Sequence, residues 1–392
     1  MKIKIRILKA AAVLASAFLL IMNVGASSFK TSSGIDDHGD FTIAVVPDMQ
    51  VLSKDHPESL SVLTGWIADN VEKENIRFVT FLGDMTDDNK KGEWADVKAA
   101  TDLLKGKVSF SVINGNRDMN DKSQKRDLER FTSAYPLSDF ESYPEYGGAY
   151  SDDCLNTFYT FEQGGLKYMI LCLEFAPRDG VIDWAKSVIE AHPGHNVIIT
   201  THGFLDDDGN VIEKTSADSF FNYSYIGGEG NCGDTIRDEL LLKYNNIVLL
   251  LCGHRGDGDL VSYTSTTSDG TKTVALMANG TDIDKICENG AGMVLLLHFK
   301  NGSGEVSCEY YSTVLGKYYG NRNQISLKLD TVMPDNASCI VKGQNNQTSQ
   351  TDNTSKTGPN ETHLEAVIYI ALAAAALAFG VAFVILKRKK KR

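Results

Sequence analysis

Histidine is scarce in this chain, with eight in 392 residues. Basic side chains are also few where a folded part must lie. Residues 27–363 hold 29 Lys and Arg against 50 Asp and Glu, a net charge of −21. So acidic a surface repels a phosphate backbone, and nucleic acid is not expected as a partner. The seven cysteines, at 154, 172, 232, 252, 287, 308 and 339, include no CxxC pair, which removes that metal or redox motif. Their odd number leaves at least one unpaired. Cys172 and Cys252 lie in apolar strand patterns and read as packed thiols. Cys154, Cys232, Cys287 and Cys339 stand among polar residues and are the candidates for pairing.

The two ends of the chain carry long apolar runs. Residues 1–27 read as a secretory signal peptide: four basic residues, an apolar run from Ala10 to Met22, then small residues near Gly25–Ser28. A retained first membrane helix is the rival reading. At the other end a membrane helix is predicted over 364–386, followed by the basic tail KRKKKR at 387–392. Roughly twenty apolar residues cross a bilayer core, and a basic end belongs on the cytoplasmic side. Residues 334–363 read as a polar tether, rich in Asn, Gln, Ser and Thr from about Gly343 to His363. This layout predicts an outward-facing domain held at the cell membrane by one span. Cell-wall anchoring is the alternative, because Lys356-Thr357-Gly358 before an apolar run resembles a Gram-positive wall-sorting tail, although Ser355 stands where such signals carry Pro.

Between these ends, residues 40–333 read as one domain. Its first half alternates strand and helix. A strand at 42–46 precedes a helix at about 58–73, where Leu60, Leu63, Ile67 and Val71 recur at helical spacing. A strand at 77–82, a helix near 92–104 and a strand at 108–113 follow, then a short helix at 125–134. Strands at 155–162 and 167–173, joined through Gly164-Gly165, have the form of a hairpin. A helix at 181–191 leads to a strand at 196–200, and a helix at 234–244 to a strand at 247–252. After that, strands at 259–267, 273–278, 292–299 and 305–312 follow one another. Such a pattern implies two packed sheets with helices outside. Stretches at 136–153 and 203–232 read as long loops, and their length suggests a functional role.

Five short segments end the apolar runs with metal-ligand side chains: PDMQ at 47–50, LGDMTD at 82–87, NGNRD at 114–118, TTHG at 200–203 and LCGHRGD at 251–257. Open α/β sheets place their sites at the carboxyl ends of strands. Asp, Asn and His delivered there point to a divalent metal centre with hydrolytic chemistry. Two of the eight histidines, His202 and His254, fall at such ends. Taken singly, His202 reads equally well as a core histidine, and the Asp-Gly pairs as turns. Their convergence favours the metal reading.

The ordered blocks resemble the calcineurin-like metallophosphoesterases, whose pattern is D-x-H, G-D-x-x-D, G-N-H-[DE], a later H, and G-H-x-H. Asp48-Met49-Gln50, preceded by Pro47, is similar to a bacterial subgroup that carries P-D-T-Q. The resemblance covers about residues 40–330. It implies a four-layer α/β/β/α sandwich and one or two divalent metal ions, of a kind such as Mn, Zn, Fe, Mg or Ca. It implies that Asp84 bridges, that Asn116, His202 and His254 complete one metal position, and that Asp48 and Gln50 serve the other. Gly256 stands where the family has its last histidine. Asp257 is the expected replacement ligand, with Asp259 starting the next strand. Such an oxygen-rich position favours manganese or magnesium over zinc. Arg117 replaces a histidine that touches the phosphate. Arginine keeps its protons but clamps phosphoryl oxygens bidentately. Asp87, Arg117 and Asp118 are therefore the expected catalytic residues, with Asp118 orienting Arg117.

The implied activity is hydrolysis of a small phosphorylated substrate at the bacterial surface. The departures at Arg117 and Gly256 keep open an alternative, a degenerate fold that binds phosphorylated ligands with little turnover. Phe220, Phe221, Tyr223 and Tyr225 offer either an aromatic wall for a ligand or anchors that pin the loop.

Overall fold

The computed structural model describes residues 39–256, 258–280, 290–319 and 323–341. The predicted signal, membrane span, basic tail, Asp257 and most of the tether lie outside the described residues. Among the described residues no helix is long and apolar enough to cross a membrane.

Two seven-stranded sheets form the centre. The first contains β1 (Phe41–Val46), β2 (Ile76–Phe81), β3 (Phe110–Ser111), β11 (Met293–Phe299), β12 (Glu305–Ser312), β13 (Lys317–Tyr318) and β14 (Gln324–Lys328). Its order is β13-β12-β11-β1-β2-β3, with β14 also paired to β12. The second contains β4 (Tyr146–Ala149), β5 (Thr157–Gln163), β6 (Leu166–Cys172), β7 (His195–Thr200), β8 (Ile247–Cys252), β9 (Val261–Thr266) and β10 (Lys272–Met277). Its order is β4-β5-β6-β7-β8-β10-β9. The helices are α1 (Gln50–Asp55), α2 (Pro57–Asp69), α3 (Lys91–Thr101), α4 (Glu129–Ala134), α5 (Ser138–Glu141), α6 (Asp179–Ala191) and α7 (Gly233–Ile236), the last continuing as a π-helical turn over Arg237–Leu241.

Alternation along the strands explains the layers. In β6, Met169 and Leu171 share a buried cluster with Val181, Ile182, Ala185 and Ile189 of α6. Tyr168, Ile170 and Cys172 point the other way, into a cluster with Ile43, Val45 and Phe78 of the first sheet. On the first sheet, Leu60, Leu63 and Ile67 of α2 are buried at helical spacing. The result is the expected α/β/β/α metallophosphoesterase fold.

The runs β1-β2-β3 and β6-β7-β8-β10 are parallel. Parallel pairing puts the carboxyl ends of β1, β2 and β3 at one edge, and those of β7 and β8 at one edge of the other sheet. Backbone bonds tie neighbouring strand ends together within each edge: Leu82 N donates to Val46 O at 3.0 Å and Met49 N to Asp84 O at 2.9 Å in the first sheet, and Gly253 N to His202 O at 2.9 Å in the second.

Several expectations are corrected. Residues 136–153 are not a bare loop but carry α5 and β4. The glycines of β4 masked it, yet they are required, since a Cβ at Gly147 would stand 2.1 Å from the Phe158 ring. The six described cysteines are buried free thiols, Cys154, Cys232 and Cys339 included. Their polar sequence neighbours face outward while the sulfurs face the core. Asp259 does not begin a strand, because β9 starts at Val261. Residues 334–341, assigned above to the tether, pack on the fold: Ile340 bridges Tyr244, and Asn245 N donates to Cys339 O at 2.9 Å.

Candidate metal centre

Asp84, His202 and His254 each bring one ligand atom to a common point, all within 4.8 Å of one another. Asp84 follows β2 and His254 follows β8, and both are non-glycine residues at positive φ, 45° and 71°. Such backbone costs about 1–3 kcal/mol each and persists where surrounding structure enforces it. Here the enforcement is visible. Asp84 Oδ1 accepts from Arg117 N at 2.9 Å, and His254 N donates to Asp48 Oδ2 at 3.1 Å.

Two motif glycines permit this crowding. A Cβ at Gly115 would lie 2.1 Å from Asp84 Oδ1, and one at Gly253 would lie 2.0 Å from Asp48 Oδ1. Any side chain at either position would displace the Asp84 or Asp48 carboxylate. This physical reason underlies Gly-Asn and Gly-His at these strand ends.

His202, a candidate ligand, is oriented from behind. Fully buried after β7, it donates from Nδ1 to Leu82 O at 2.8 Å. Its Nε2 is thereby left for a metal, as in many metal-ligating histidines. That nitrogen stands 3.2 Å from Asn116 Oδ1 and 3.3 Å from Asp84 Oδ1. Asp84, Asn116, His202 and His254 are thus gathered as the sequence predicts. Asp48 and Gln50 adjoin them, Asp48 at the carboxyl end of β1 and Gln50 as first residue of α1. Gln50 Oε1 is buried with no hydrogen-bond partner among the described residues. A buried orphan acceptor two residues along from Asp48 fits a divalent cation. Gly256 N donates to Asp207 Oδ1 at 2.8 Å, holding the His254 loop to the 203–232 segment.

The electrostatics carry the same signature. Burial, with the Asp84 charge, pushes Asp48 up to about 7, against the pull of His202. Burial would also raise Asp84, but His202 and His254 hold it below the usual carboxylate range. Burial would lower His202, yet Asp84 and Asp48 outweigh it and lift the imidazole to about 9. His254 is pushed down to about 3 by burial and by His202. Without an ion, a proton on His202 balances the carboxylates.

Arg117 and Asp118 behave differently from expectation. Asp118 does not orient Arg117. It is fully buried and accepts from Gly115 N at 2.8 Å, Thr86 N at 2.9 Å, Thr86 Oγ1 at 3.0 Å and Met85 N at 3.1 Å. It therefore locks the β2 and β3 loops together. Burial and the Asp84 charge push it up to about 7. Asp87 is the residue that holds Arg117, accepting from Nη1 at 2.5 Å, and it also pairs with Lys54. Arg117 stays 46% exposed at the mouth, with Nε 3.8 Å from Asp84 Oδ2.

The sequence reading missed Lys54, which lies one helical turn beyond Gln50 on α1. The i, i+4 spacing was available, but the helix is only six residues long. The aromatic residues of the 203–232 segment divide. Phe220 is buried, its ring 4.7 Å from Phe175 and 5.9 Å from His254, and it anchors the loop. Phe221 packs beneath Lys214. Tyr223 and Tyr225 reach the candidate ligands: the Tyr223 hydroxyl lies 3.4 Å from His254 Nε2, and Tyr225 hydrogen-bonds Asn116.

Carboxylate, amide and imidazole donors at the facing carboxyl edges of two sheets define a phosphoesterase domain of the divalent-metal kind. The chain belongs to the calcineurin-like phosphoesterase family, whose model matches residues 41–255, more than half of its length. An uncharacterised protein, YvnB of Bacillus subtilis (strain 168), is 24% identical over 300 residues, covering 74% of this chain and 22% of that protein. The chain thus spans about a fifth of that relative's length. Among solved structures, purple acid phosphatase PPD1 from yellow lupin aligns with a TM-score of 0.46 and 14% identity, over 79% of this chain and 57% of the other. GAP50, the anchor in the inner membrane complex of Plasmodium, aligns with a TM-score of 0.45 and 12% identity, over 76% and 91%.

Proposed function

We propose that this protein is a metal-dependent phosphoester hydrolase acting on a small phosphorylated substrate. The observation that carries the reading is the convergence of Asp84, His202 and His254 on one point, with the Asp84 carboxylate and the His202 ring held by backbone partners. Divalent ions, when bound, supply a nucleophilic water at neutral pH and neutralise phosphoryl charge. Asp84, Asn116, His202 and His254 would hold one ion; Asp48, Gln50 and Asp84 would hold a second. Arg117, steadied by Asp87, faces solvent where a phosphoryl group would enter, and its guanidinium suits two non-bridging oxygens. Asp118 keeps the two ligand loops in register.

The test is ion content and phosphate release on the same full-length sample. The hydrolase reading expects bound divalent ion and release from monoester or diester substrates well above an Asp84→Ala control. A second reading, a phosphate-binding fold with little turnover, is favoured by Arg117 and Gly256 together. It expects one ion per chain and phosphate affinity without release.

We also propose display at the cell surface. The reading rests on the sequence of residues 1–27 and 364–392 alone. Protease added to intact cells would remove the domain if this is right and spare it if it is wrong.

A further inference from the structure

The two histidines of the centre are held in different ways. The His202 ring is fixed by its bond to Leu82 O at 2.8 Å. Among the described residues, the His254 ring has one hydrogen-bond contact, the Tyr223 hydroxyl 3.4 Å from Nε2. That separation exceeds the usual range for a good bond, so hydrogen bonding fixes this ring only weakly. Aromatic packing surrounds it instead. The ring centroids of Phe175, Phe220 and Tyr223 lie 5.6, 5.9 and 6.1 Å from that of His254. The cage rings also pack on one another, with Phe175 4.7 Å from Phe220 and 5.8 Å from Tyr223. An interior packed this closely transmits a displacement rather than absorbing it.

Two distant stretches of chain supply the cage. Phe175 lies between β6 and α6, whereas Phe220 and Tyr223 belong to the 203–232 segment. Arg126, between β3 and α4, binds both stretches. Its side chain is only 10% exposed, and the fully buried Glu174 lies 3.9 Å from its Nη1. It donates to Phe175 O at 2.7 Å, Ala176 O at 2.7 Å and Glu229 O at 3.1 Å. A planar fork of donors is what three carbonyl groups on two segments require. Ala176 is held at a φ of 50°, a backbone that persists where neighbours enforce it. The segment keeps a second tie, from Asn231 Nδ2 to Pro177 O at 2.9 Å and Asp179 Oδ1 at 2.8 Å. Loss of Arg126 therefore loosens the cage without freeing the segment.

We propose that Arg126 is a positioning residue for the metal centre. By clamping the Phe175 backbone to the 203–232 segment, it closes the aromatic cage and sets the His254 ring for a divalent ion. The cage does for His254 what the Leu82 carbonyl does for His202. This rests on the reading of Asp84, His202 and His254 as an ion site. It asks nothing of the phosphoryl chemistry, so ion binding alone tests it.

The experiment titrates Mn²⁺ by calorimetry into chelator-stripped full-length protein. Wild type, Arg126→Ala, His254→Ala and the double variant form one cycle, with Asp84→Ala as the control for the centre. Outer partners of metal-ligating histidines are worth about 10–100-fold in affinity, and Arg126→Ala should lower Mn²⁺ affinity by about tenfold. In the His254→Ala background the same change should shift affinity by less than about twofold, because the ring it acts through is gone. Phe175→Leu, which leaves the carbonyl acceptors of Arg126 in place, should show the same loss and the same dependence on His254. Arg126→Lys keeps the charge but not the fork, so its loss should be smaller. It also carries the cycle if Arg126→Ala does not fold. Affinity within about twofold of wild type in a folded Arg126 variant, or an equal loss with and without His254, would overturn the proposal and leave Arg126 as loop packing. A wild-type protein that binds Mn²⁺ no more tightly than Asp84→Ala overturns the ion-site reading, and this proposal with it.

Discussion

His202 donates from Nδ1 to the carbonyl oxygen of Leu82, 2.8 Å away on the facing sheet. One bond thus joins the two sheets at the centre and selects the ligand nitrogen. His202→Ala should lower divalent-ion affinity by more than about 100-fold, since even outer partners of such histidines are worth 10–100-fold. It also strands the buried Asp84 carboxylate, which should cost about 3–5 kcal/mol in the ion-free protein. Calorimetric ion titration and denaturant unfolding check the two parts separately.

Ion affinity should rise with pH in two regimes. Asp48 lies near 7 and His202 near 9 when no ion is bound. His254, pushed down to about 3, is already neutral and releases nothing. A ligand must shed its proton to bind metal. Below pH about 7 both groups release protons, and affinity should climb about 100-fold per pH unit. Between about 7 and 9 only His202 does so, giving about tenfold per unit, and the curve should flatten above. Titrations in buffers of different ionisation enthalpy count the protons directly. Affinity independent of pH would mean the carboxylates and His202 are not the ligands.

Asp118→Ala separates the observed role from the one its place in the motif suggests. Four donors lose one buried acceptor, so the protein should lose about 3 kcal/mol or more of stability. If Asp118 instead oriented Arg117, turnover would fall while unfolding stayed where it was. Thermal unfolding beside a rate measurement decides between them.

Arg117→Ala should show the opposite pattern. The side chain is 46% exposed, and its partner Asp87, though only 10% exposed, keeps Lys54, so stability should change by about 1 kcal/mol or less. Removal of a phosphoryl donor should lower kcat/KM by about 10²–10³-fold. Arg117→Lys keeps the charge but not the fork, and should restore only a part.

The strand ends were legible because the apolar runs before them have strand length and β-branched content. The candidate cluster of Asp84, His202 and His254 was legible because each block carries its own residues. What could not be read was which way each loop turns. Asp118 stands next to Arg117 in sequence, yet its hydrogen-bond donors come mainly from Met85 and Thr86, more than thirty positions earlier. Tyr223 meets His254 across an equally long interval. The chain order contains no trace of either contact. α1 was hidden for a different reason: Pro57 interrupts it after one and a half turns, leaving too few residues for a periodicity to show. The burial of Cys154 and Cys232 was hidden because single residues between polar neighbours carry no periodic signal at all.

The most direct test of the account is to strip full-length protein with a chelator and restore one divalent ion stepwise. Bound ion per chain and phosphate release are followed together, with Asp84→Ala as the control. The account predicts that release rises with occupancy of the Asp84–His202–His254 centre and is lost in the control. Full occupancy of that centre, with release no greater than in Asp84→Ala across monoesters and diesters, would contradict it.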